Sequence, residues 1–453
     1  MASGVLARPV GTETPRANSA KGTPLEFKLI GGDTTIINRI EELAKKNCKM
    51  SQIALAWVRS KVTSPIVGIN SVQMLQECIV KGIELTPKEM TYLEEPTTVE
   101  LTAPTRSPLL NSMPTVEYRT LGKTGLKISV PILGAMSFGS SKWASWVLDE
   151  EPSIQIMKAA WDLGINTFDT ANVYSNGESE RLIARFMKKY NIPRHQIVIA
   201  TKCNHLVAHD PSIWSFFRTD LKQLHEYVNQ SGQSRAAIFN AVDASIARLE
   251  TPYIDLLQIH RFDPSVTPEE TMKALHDLVQ SGKVRYIGAS SMRCWQFAML
   301  NEVAAKNGWT KFVSMQDEYS LLYREDEREM HAYCKHNGIG IIPWSPLAAG
   351  VLARPIGTET TRVNSVNGAV PAKKLIGGDT TIVNRVEELA KKKNCKMGQI
   401  ALAWVGAKVA SPIVGVNSVQ RLQESIVRGI ELTPEEMTYL EEPYEPKVVR
   451  GHL

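Results

Sequence analysis

Four side chains that can exchange protons stand in or just after short predicted strands. Residues 166–180, NTFDTANVYSNGESE, contain a β-prone run that ends at Asp169, and Tyr174 follows in a loop rich in Asn, Ser and Gly. The runs IVIATK and IDLLQIH end at Lys202 and His260. Singly, each residue has an ordinary explanation as a surface, loop or strand-end residue. Their shared position at strand ends favours a site for proton chemistry.

A tyrosine acid is the chemistry that these four residue types suggest. A free phenol has a pKa of about 10, and a neighbouring ammonium group lowers it by favouring the phenolate. We therefore expect Lys202 to lower the pKa of Tyr174 and Asp169 to hold Lys202 charged and in place. His260 is expected to orient a carbonyl oxygen, so that Tyr174 donates a proton to it while a hydride arrives from a source that these residues do not name.

Alternating strands and helices must bring these residues together. Between predicted amphipathic helices lie eight short apolar runs, at residues 131–133, 166–168, 197–200, 254–259, 284–287, 312–315, 339–342 and 412–414. This rhythm predicts an α/β fold of the (β/α)8 TIM barrel type, with a hairpin at residues 118–130 before the first strand. A doubly wound sheet is the alternative, but LGAMSFG after the first strand lacks the GxGxxG pattern of that fold.

Composition excludes several functional classes. A net charge of +5 is spread over 52 basic and 47 acidic residues, which does not indicate a nucleic-acid partner. The six cysteines form no CxxC pair, so neither a metal site nor a disulfide framework is expected. No apolar run approaches the roughly 20 residues that span a bilayer, and the first residues do not resemble a signal peptide. We expect a cytoplasmic protein without a membrane, metal or obligate protein partner.

An internal repeat divides the chain unequally. Residues 4–96 recur almost throughout in residues 350–443, including the runs KLIGGDTTI and SPIVG. A solenoid needs several stacked units, so this is a partial duplication of the C-terminal βα segment. We interpret residues 1–96 as a copy that is not an independent domain, residues 97–114 as a Thr-, Pro- and Ser-rich linker, and residues 115–453 as the barrel.

The first copy contains none of the four candidate catalytic residues, and a closed eight-stranded barrel has no place for it. Three explanations stay open: a fused gene model with Met113 as the true start, a degenerate tandem remnant, or a segment that docks by swapping. We favour the first two.

Several motifs resemble those of the aldo-keto reductase superfamily. They include LGKTGLKISVPILGAMSFG, GINTFDTANVYSNGESE, DLLQIHRFD, GKVRYIGASS, PWSPLAAG and PIVGVNSVQRLQES. Within the superfamily, the chain is most similar to fungal aryl-alcohol dehydrogenase and versiconal hemiacetal acetate reductase types, and potassium channel beta subunits are further relatives. The resemblance implies a catalytic tetrad of Asp169, Tyr174, Lys202 and His260, with NADP(H) as the source of a pro-R hydride.

The same resemblance implies where the cofactor binds. Asp169 lies beside it, with Ser290, Ser291 and Gln316 on the nicotinamide carboxamide and Trp344 on its ring. The pyrophosphate and adenosine ends would meet Ser345, Pro346, Leu347, Gly350, Gly415, Asn417, Arg421, Glu424 and Ser425. Many relatives have Asn at the positions of Ser291 and Ser425, and the first copy has Met74 and Cys78 in place of Arg421 and Ser425. Arg421 favours NADP(H) over NAD(H), since a guanidinium pairs well with a 2′-phosphate.

The sequence therefore predicts an NADP-dependent reductase of aldehydes or ketones. Aromatic residues of the loops, Trp143, Trp146 and Trp214 within residues 203–217, are expected to form an apolar substrate pocket with Asp149 and Glu150 nearby, suited to aromatic or secondary-metabolite carbonyls. Ordinary loop packing is the alternative for these side chains. A cofactor-binding regulatory subunit, like the channel relatives, is the alternative function.

Overall fold

The computed structural model describes two compact units, each with its own core. They comprise Met1–Asn111 and Ser112–Leu453. Within them the described residues are 32–45, 48–63, 65, 67, 72–80, 82–95, 116–358 and 375–450. The predicted linker with Met113, and the stretch where the two copies differ most, lie outside these residues.

The second unit is an eight-stranded parallel barrel. An antiparallel hairpin of β1 (Glu117–Thr120) and β2 (Lys127–Val130) precedes it, as predicted. The barrel strands are β3 (Ile132–Gly134), β4 (Thr167–Asp169), β5 (Val198–Cys203), β6 (Ile254–Ile259), β7 (Val284–Ser290), β8 (Ser314–Gln316), β9 (Gly340–Ile341) and β10 (Ile413–Gly415). Each strand overlaps or touches one of the eight apolar runs, and neighbours in the chain are neighbours in the sheet, with β10 beside β3.

Two backbone hydrogen bonds join the outer edges of this sheet. Ala410 N–H donates to Ile341 O at 3.0 Å, and Ile413 N–H donates to Pro343 O at 2.9 Å. Because β10 also pairs with β3 in register, the last strand connects β9 to the first strand. The (β/α)8 prediction is confirmed, and the doubly wound alternative is wrong.

Helices cover the outside of the barrel. They are α5 (Glu150–Asp162), α6 (Glu178–Lys189), α7 (Arg235–Leu249), α8 (Pro268–Gln280), α9 (Cys294–Lys306), α10 (Met330–Asn337), α11 (Asp379–Lys392), α12 (Met397–Lys408), α13 (Val419–Glu424) and α14 (Pro434–Glu441). In α6 the buried Leu182, Ile183 and Phe186 share one face, as a 3.6-residue period requires, and they join the core between sheet and helices.

One buried ion pair ties α6 to its neighbours. Glu180 is fully buried, where its carboxylate accepts a 2.6 Å hydrogen bond from Arg248 of α7 and another from Thr201 of β5. Arg248 also lies where a side chain on Gly177 would be, at the start of α6. These contacts fix the beginning of α6, and with it the loop from β4 that carries Tyr174.

The first unit repeats the last helices of the barrel. Its helices are α1 (Gly32–Ala44), α2 (Met50–Lys61), α3 (Val72–Glu77) and α4 (Pro87–Glu94), the counterparts of α11 to α14. The Trp57 indole donates to Glu94 as the Trp404 indole donates to Glu441, each at 2.8 Å. Ile40, Ile53 and Leu93 belong to a small separate core. That residues 1–96 are not an independent domain stays a prediction.

No helix among the described residues is long and apolar enough to cross a membrane. All six cysteines carry free thiols.

Candidate active site

Asp169 and Lys202 meet at the carboxyl ends of adjacent strands. Asp169 is the last residue of β4, and Lys202 lies near the end of β5. The Lys202 Nζ donates to Asp169 Oδ2 at 2.6 Å and to the carbonyl oxygen of Thr170 at 2.8 Å. Both side chains are buried, at 1% exposure for Lys202 and 3% for Asp169. The ammonium is thus paired and directed, as a buried charge must be.

Tyr174 joins this pair from a strained turn. It begins a 3-10 turn, Tyr174–Gly177, in which Ser175 and Asn176 have left-handed backbones with φ of 48° and 50°. Asn176 holds the turn, since its amide donates to the carbonyl oxygens of Asp210 and Ile213. Tyr174 Oη lies 3.4 Å from Lys202 Nζ, and the tyrosine is 8% exposed. The sequence motif therefore places the phenol against the ammonium.

His260 follows β6 directly and closes the group. Its backbone N–H donates to Cys203 O at 2.9 Å, and its ring centroid lies 6.0 Å from that of Tyr174. The buried Nδ1 has no hydrogen-bond partner among the described residues. Burial, then the nearby His205, Arg261 and Lys202, lower the pKa of His260 well below its usual value. The imidazole is therefore neutral at physiological pH.

Lys202 lowers the pKa of Tyr174, as expected, but a larger effect opposes it. Burial of the phenol outweighs the effect of Lys202, so the pKa of Tyr174 is raised above its ordinary value. For Lys202, burial alone would lower the pKa, but Asp169 and Tyr174 outweigh it and raise the pKa. Lys202 Nζ lies 2.6 Å from Asp169 Oδ2 but 3.4 Å from Tyr174 Oη, so its contact with the carboxylate is the closer one. Tyr174 is thus a protonated phenol beside a fixed positive charge.

Gln258, which the sequence analysis did not identify as a site residue, is a further partner of Asp169. Asp169 Oδ1 accepts from Gln316 Nε2 at 2.8 Å and from Gln258 Nε2 at 3.2 Å. The two glutamines also bond each other at 3.0 Å. Gln258 lies two residues before His260 in IDLLQIH, and strand alternation puts both on one face, which was the available signal.

The predicted nicotinamide contacts lie next to this network. Ser290 ends β7 and its hydroxyl is 3.4 Å from that of Ser291, which has a left-handed φ of 44°. The Trp344 indole donates to Ser291 Oγ at 3.2 Å. Gln316 ends β8. The structure therefore brings these four predicted side chains to the same end of the barrel as Asp169.

The predicted pyrophosphate residues form a turn with unusual backbone geometry. Ser345, Ala348, Ala349 and Gly350 all have positive φ, at 58°, 50°, 58° and 95°. Pro346 is buried and Leu347 is half-buried within the turn. Left-handed residues in a turn direct successive N–H groups to one side, a geometry that suits an anion.

The predicted adenosine end contains a second arginine. Arg421 is exposed on α13, where its guanidinium donates to Asn417 Oδ1 at 2.9 Å and its backbone oxygen accepts from Ser425. Glu424 accepts a bond from Gln420, and Gly415 ends β10. Burial and repulsion from Arg421 lower the pKa of Arg354. The sequence motifs did not identify Arg354 as a site residue, because its proximity to Arg421 depends on the fold.

Aromatic side chains gather next to Tyr174 and His260. Trp143 and Trp214 stack with ring centroids 4.1 Å apart, and Trp146 meets Trp143 edge-on at 6.2 Å. Phe216 contacts this cluster and lies 6.1 Å from His260. Tyr174 belongs to the same cluster. The convergence of the predicted loop aromatics is therefore observed.

Asp149 and Glu150 are placed differently from the expectation. Asp149 accepts bonds from Ser141, and Glu150 pairs with Arg185 at 3.0 Å. Both line a cleft of about 840 Å3 whose walls include Ser175 and neither Tyr174 nor His260. Their charges are satisfied by local partners, so they do not form part of the aromatic wall.

Comparisons with known proteins agree with this architecture. Residues 132–445 match the Aldo/keto reductase family. A putative aryl-alcohol dehydrogenase of Schizosaccharomyces pombe is 50% identical over 345 residues, covering 74% of this chain and 98% of that protein. The versiconal hemiacetal acetate reductase of Aspergillus parasiticus is 47% identical over 339 residues, with the same coverage. An aldo-keto reductase of Alternaria alternata is 50% identical over 343 residues, covering 74% of this chain and 93% of that protein.

Proposed function

The chain belongs to the aldo/keto reductase family, and on this premise we propose that it is an NADPH-dependent reductase of aromatic aldehydes or ketones in which Tyr174 is the proton donor. The observation that carries the proposal is the contact of the Tyr174 phenol with the buried Lys202 ammonium, itself fixed by Asp169. This arrangement suits a proton donor whose conjugate base forms in an apolar site.

Proton transfer follows from the charges of these three residues. Tyr174 begins protonated, because burial raises its pKa. As it gives its proton to a carbonyl oxygen, the phenolate oxygen gains a negative charge 3.4 Å from Lys202 Nζ. In a site with few waters, this attraction is stronger than in bulk solvent. Lys202 therefore stabilises the product side of the transfer while Asp169 keeps it in position.

His260 orients the carbonyl. A neutral imidazole has one N–H donor, and its other nitrogen accepts. Nδ1 of His260 has no hydrogen-bond partner in the described chain, and the imidazole centroid lies 6.0 Å from that of Tyr174. His260 and Tyr174 would thus hold one oxygen between two donors, and the nearby tryptophans would shield it from water.

The site residues fit a nicotinamide dinucleotide phosphate. NADPH, when bound, would supply the hydride to the carbonyl carbon. Ser290, Ser291 and Gln316 offer polar groups for the carboxamide, and Trp344 offers a ring face. The turn at residues 345–350 suits a pyrophosphate. Arg421 is, after burial, the group that lowers the pKa of Arg354, and a 2′-phosphate bound by both guanidinium groups would offset this repulsion, which supports NADP(H).

The substrate class is proposed from the aromatic cluster that contains Tyr174. Four aromatic rings, those of Trp143, Trp146, Trp214 and Phe216, suit a flat aromatic carbonyl compound. The names of two relatives, aryl-alcohol dehydrogenase and versiconal hemiacetal acetate reductase, agree with such substrates.

Replacing Tyr174 by Phe tests the proposal. We expect the full chain to oxidise NADPH in the presence of benzaldehyde, and Tyr174→Phe to lower kcat at least 100-fold, because general acid catalysis contributes about 10²–10⁴-fold. Equal turnover by the variant would disprove the role of Tyr174. Tight NADPH binding with no turnover of any aldehyde by the unaltered chain would instead favour the regulatory subunit.

A further inference from the structure

An arginine beside the catalytic histidine has no carboxylate partner in the described chain. Arg261 is half-buried, and its Nη1 donates to the carbonyl oxygen of His260 at 2.6 Å. A guanidinium has five N–H donors, and that is the one side-chain hydrogen bond of Arg261 among the described residues. Arg194, Arg248 and Arg324 are half-buried too, yet each holds a carboxylate within 2.7 Å. Arg261 thus has no carboxylate partner among the described residues, although buried charges in proteins are usually paired.

Arg261 lies next to the histidine of the proposed carbonyl site. Its guanidinium contacts the His260 backbone, and the His260 ring centroid lies 6.0 Å from that of Tyr174. Burial is the main cause that lowers the pKa values of His205 and His260, and the charge of Arg261 adds to it. Burial also lowers the pKa of Arg261 itself. The unused donors of Arg261 therefore lie beside the residues proposed to hold the carbonyl.

His205 adds a second polar group to this wall. Its ring centroid lies 4.8 Å from that of His260 and 4.7 Å from that of Phe216. Its Nε2 is buried without a hydrogen-bond partner among the described residues. Burial, Arg261 and Lys222 lower the pKa of His205 to about 3, so the ring is neutral and can donate one N–H.

Most of the unsatisfied buried groups near Tyr174 and His205 can donate, and Asn172 Oδ1 is an unsatisfied acceptor among them. The indole N–H groups of Trp143 and Trp214 are also buried without an acceptor in the described chain. Indole and guanidinium nitrogens can only donate, and leaving buried donors unpaired costs free energy. A ligand rich in acceptor oxygens would satisfy them. One guanidinium fork matches the two oxygens of a planar carboxylate.

We propose that Arg261 and His205 form a subsite for a carboxylate, so that the preferred substrates are aromatic aldehydes or ketones that also carry an acid group. The proposal rests on the proposed function and specifies its substrate class. In this arrangement the aromatic ring lies among the tryptophans, the carbonyl reaches Tyr174 and His260, and the acid group binds Arg261. Neither residue takes part in the proton transfer.

Paired substrates test the subsite. The 2-, 3- and 4-carboxybenzaldehydes are compared with their methyl esters, which have the same ring and carbonyl without the charge. We expect the full chain to prefer at least one acid over its ester by about tenfold or more in kcat/KM, through a lower KM. Arg261→Met is expected to lower this ratio at least tenfold, and Arg261→Lys to keep part of it. Arg285→Met is the matched control. Arg285 lies near the start of β7, at the end of the barrel away from His260, so this variant should keep the ratio of acid to ester.

A binding measurement separates this proposal from the proposed function. Calorimetric titration of the NADP⁺-saturated full chain with benzoate and with benzamide reports the subsite without catalysis. Benzoate binding that Arg261→Met weakens about tenfold supports the subsite even if no aldehyde is reduced. Two results in the unaltered chain would together overturn the subsite: equal kcat/KM for each acid and its ester, and equal affinity for benzoate and benzamide. Neither result depends on whether the variants fold.

Discussion

At the level of single residues, the sequence located the four residues proposed for catalysis but not the direction in which the pKa of Tyr174 is shifted. Asp169, Tyr174, Lys202 and His260 could be found because each stands at or just after the end of a predicted strand or in the loop that follows one. The pKa of Tyr174 could not be foreseen, because it depends on how completely the aromatic loops bury the phenol. Gln258 had a signal in the strand alternation of IDLLQIH, whereas the proximity of Arg354 and His205 to the other site residues depends on the fold.

Arg421 allows a direct test of cofactor choice. The first copy has Met74 at the equivalent position, so Arg421→Met is a substitution that the chain itself supplies. Loss of a charge-assisted bond to a 2′-phosphate is expected to raise KM for NADPH about tenfold. KM for NADH should change less than about twofold. Equal changes for both cofactors, or the same effect from the control Arg285→Met, would contradict the role of Arg421.

At the scale of elements, the two copies show how context decides burial. Leu422 and Ile426 in and after α13 are 0% and 8% exposed, whereas their counterparts Leu75 and Ile79 are each 47% exposed. The helices themselves and their internal hydrogen bonds are nearly the same in both copies. Sequence could therefore predict the helices of the first copy, but not which of their apolar faces find a partner.

Removing the first copy tests its contribution. We expect the chain without residues 1–112 to fold and to keep kcat/KM within about twofold, because the barrel's core and proposed site residues all lie in the second unit. Deletion of residues 350–453 is the matched control and should abolish folding, since it removes β10, the strand that joins β9 to β3. Circular dichroism and the benzaldehyde assay measure both. Loss of folding on deletion of residues 1–112 would make that segment structural.

At the scale of the whole molecule, the strand and helix order was predictable because the periodicity of the apolar residues changes clearly between elements. The burial of acidic side chains was not predictable. Asp326 is buried near Asp317, which bonds His331 at 2.8 Å. Burial and the charge of Asp317 raise the pKa of Asp326 to about 8.

This buried acid makes stability depend on pH. Because the folded state holds the Asp326 proton up to about pH 8 and the unfolded state releases it near pH 4, the stability that this group contributes falls as pH rises between those values. Asp326→Asn mimics the protonated acid and removes the titration. We expect Tm of the variant minus Tm of the unaltered chain to increase from pH 5 to pH 8. No such trend, or the same trend for the exposed control Glu329→Gln, would contradict the assignment.

Tyr174 is proposed to donate the proton that accompanies hydride transfer to an aromatic carbonyl. This role is tested by following deuterium from [4R-²H]NADPH into benzyl alcohol by mass spectrometry, with the full chain and with Tyr174→Phe at saturating cofactor. We expect one deuterium at the carbinol carbon for the unaltered chain and a rate at least 100-fold lower for the variant. Deuterated alcohol formed equally fast by Tyr174→Phe, or alcohol without deuterium, would contradict it.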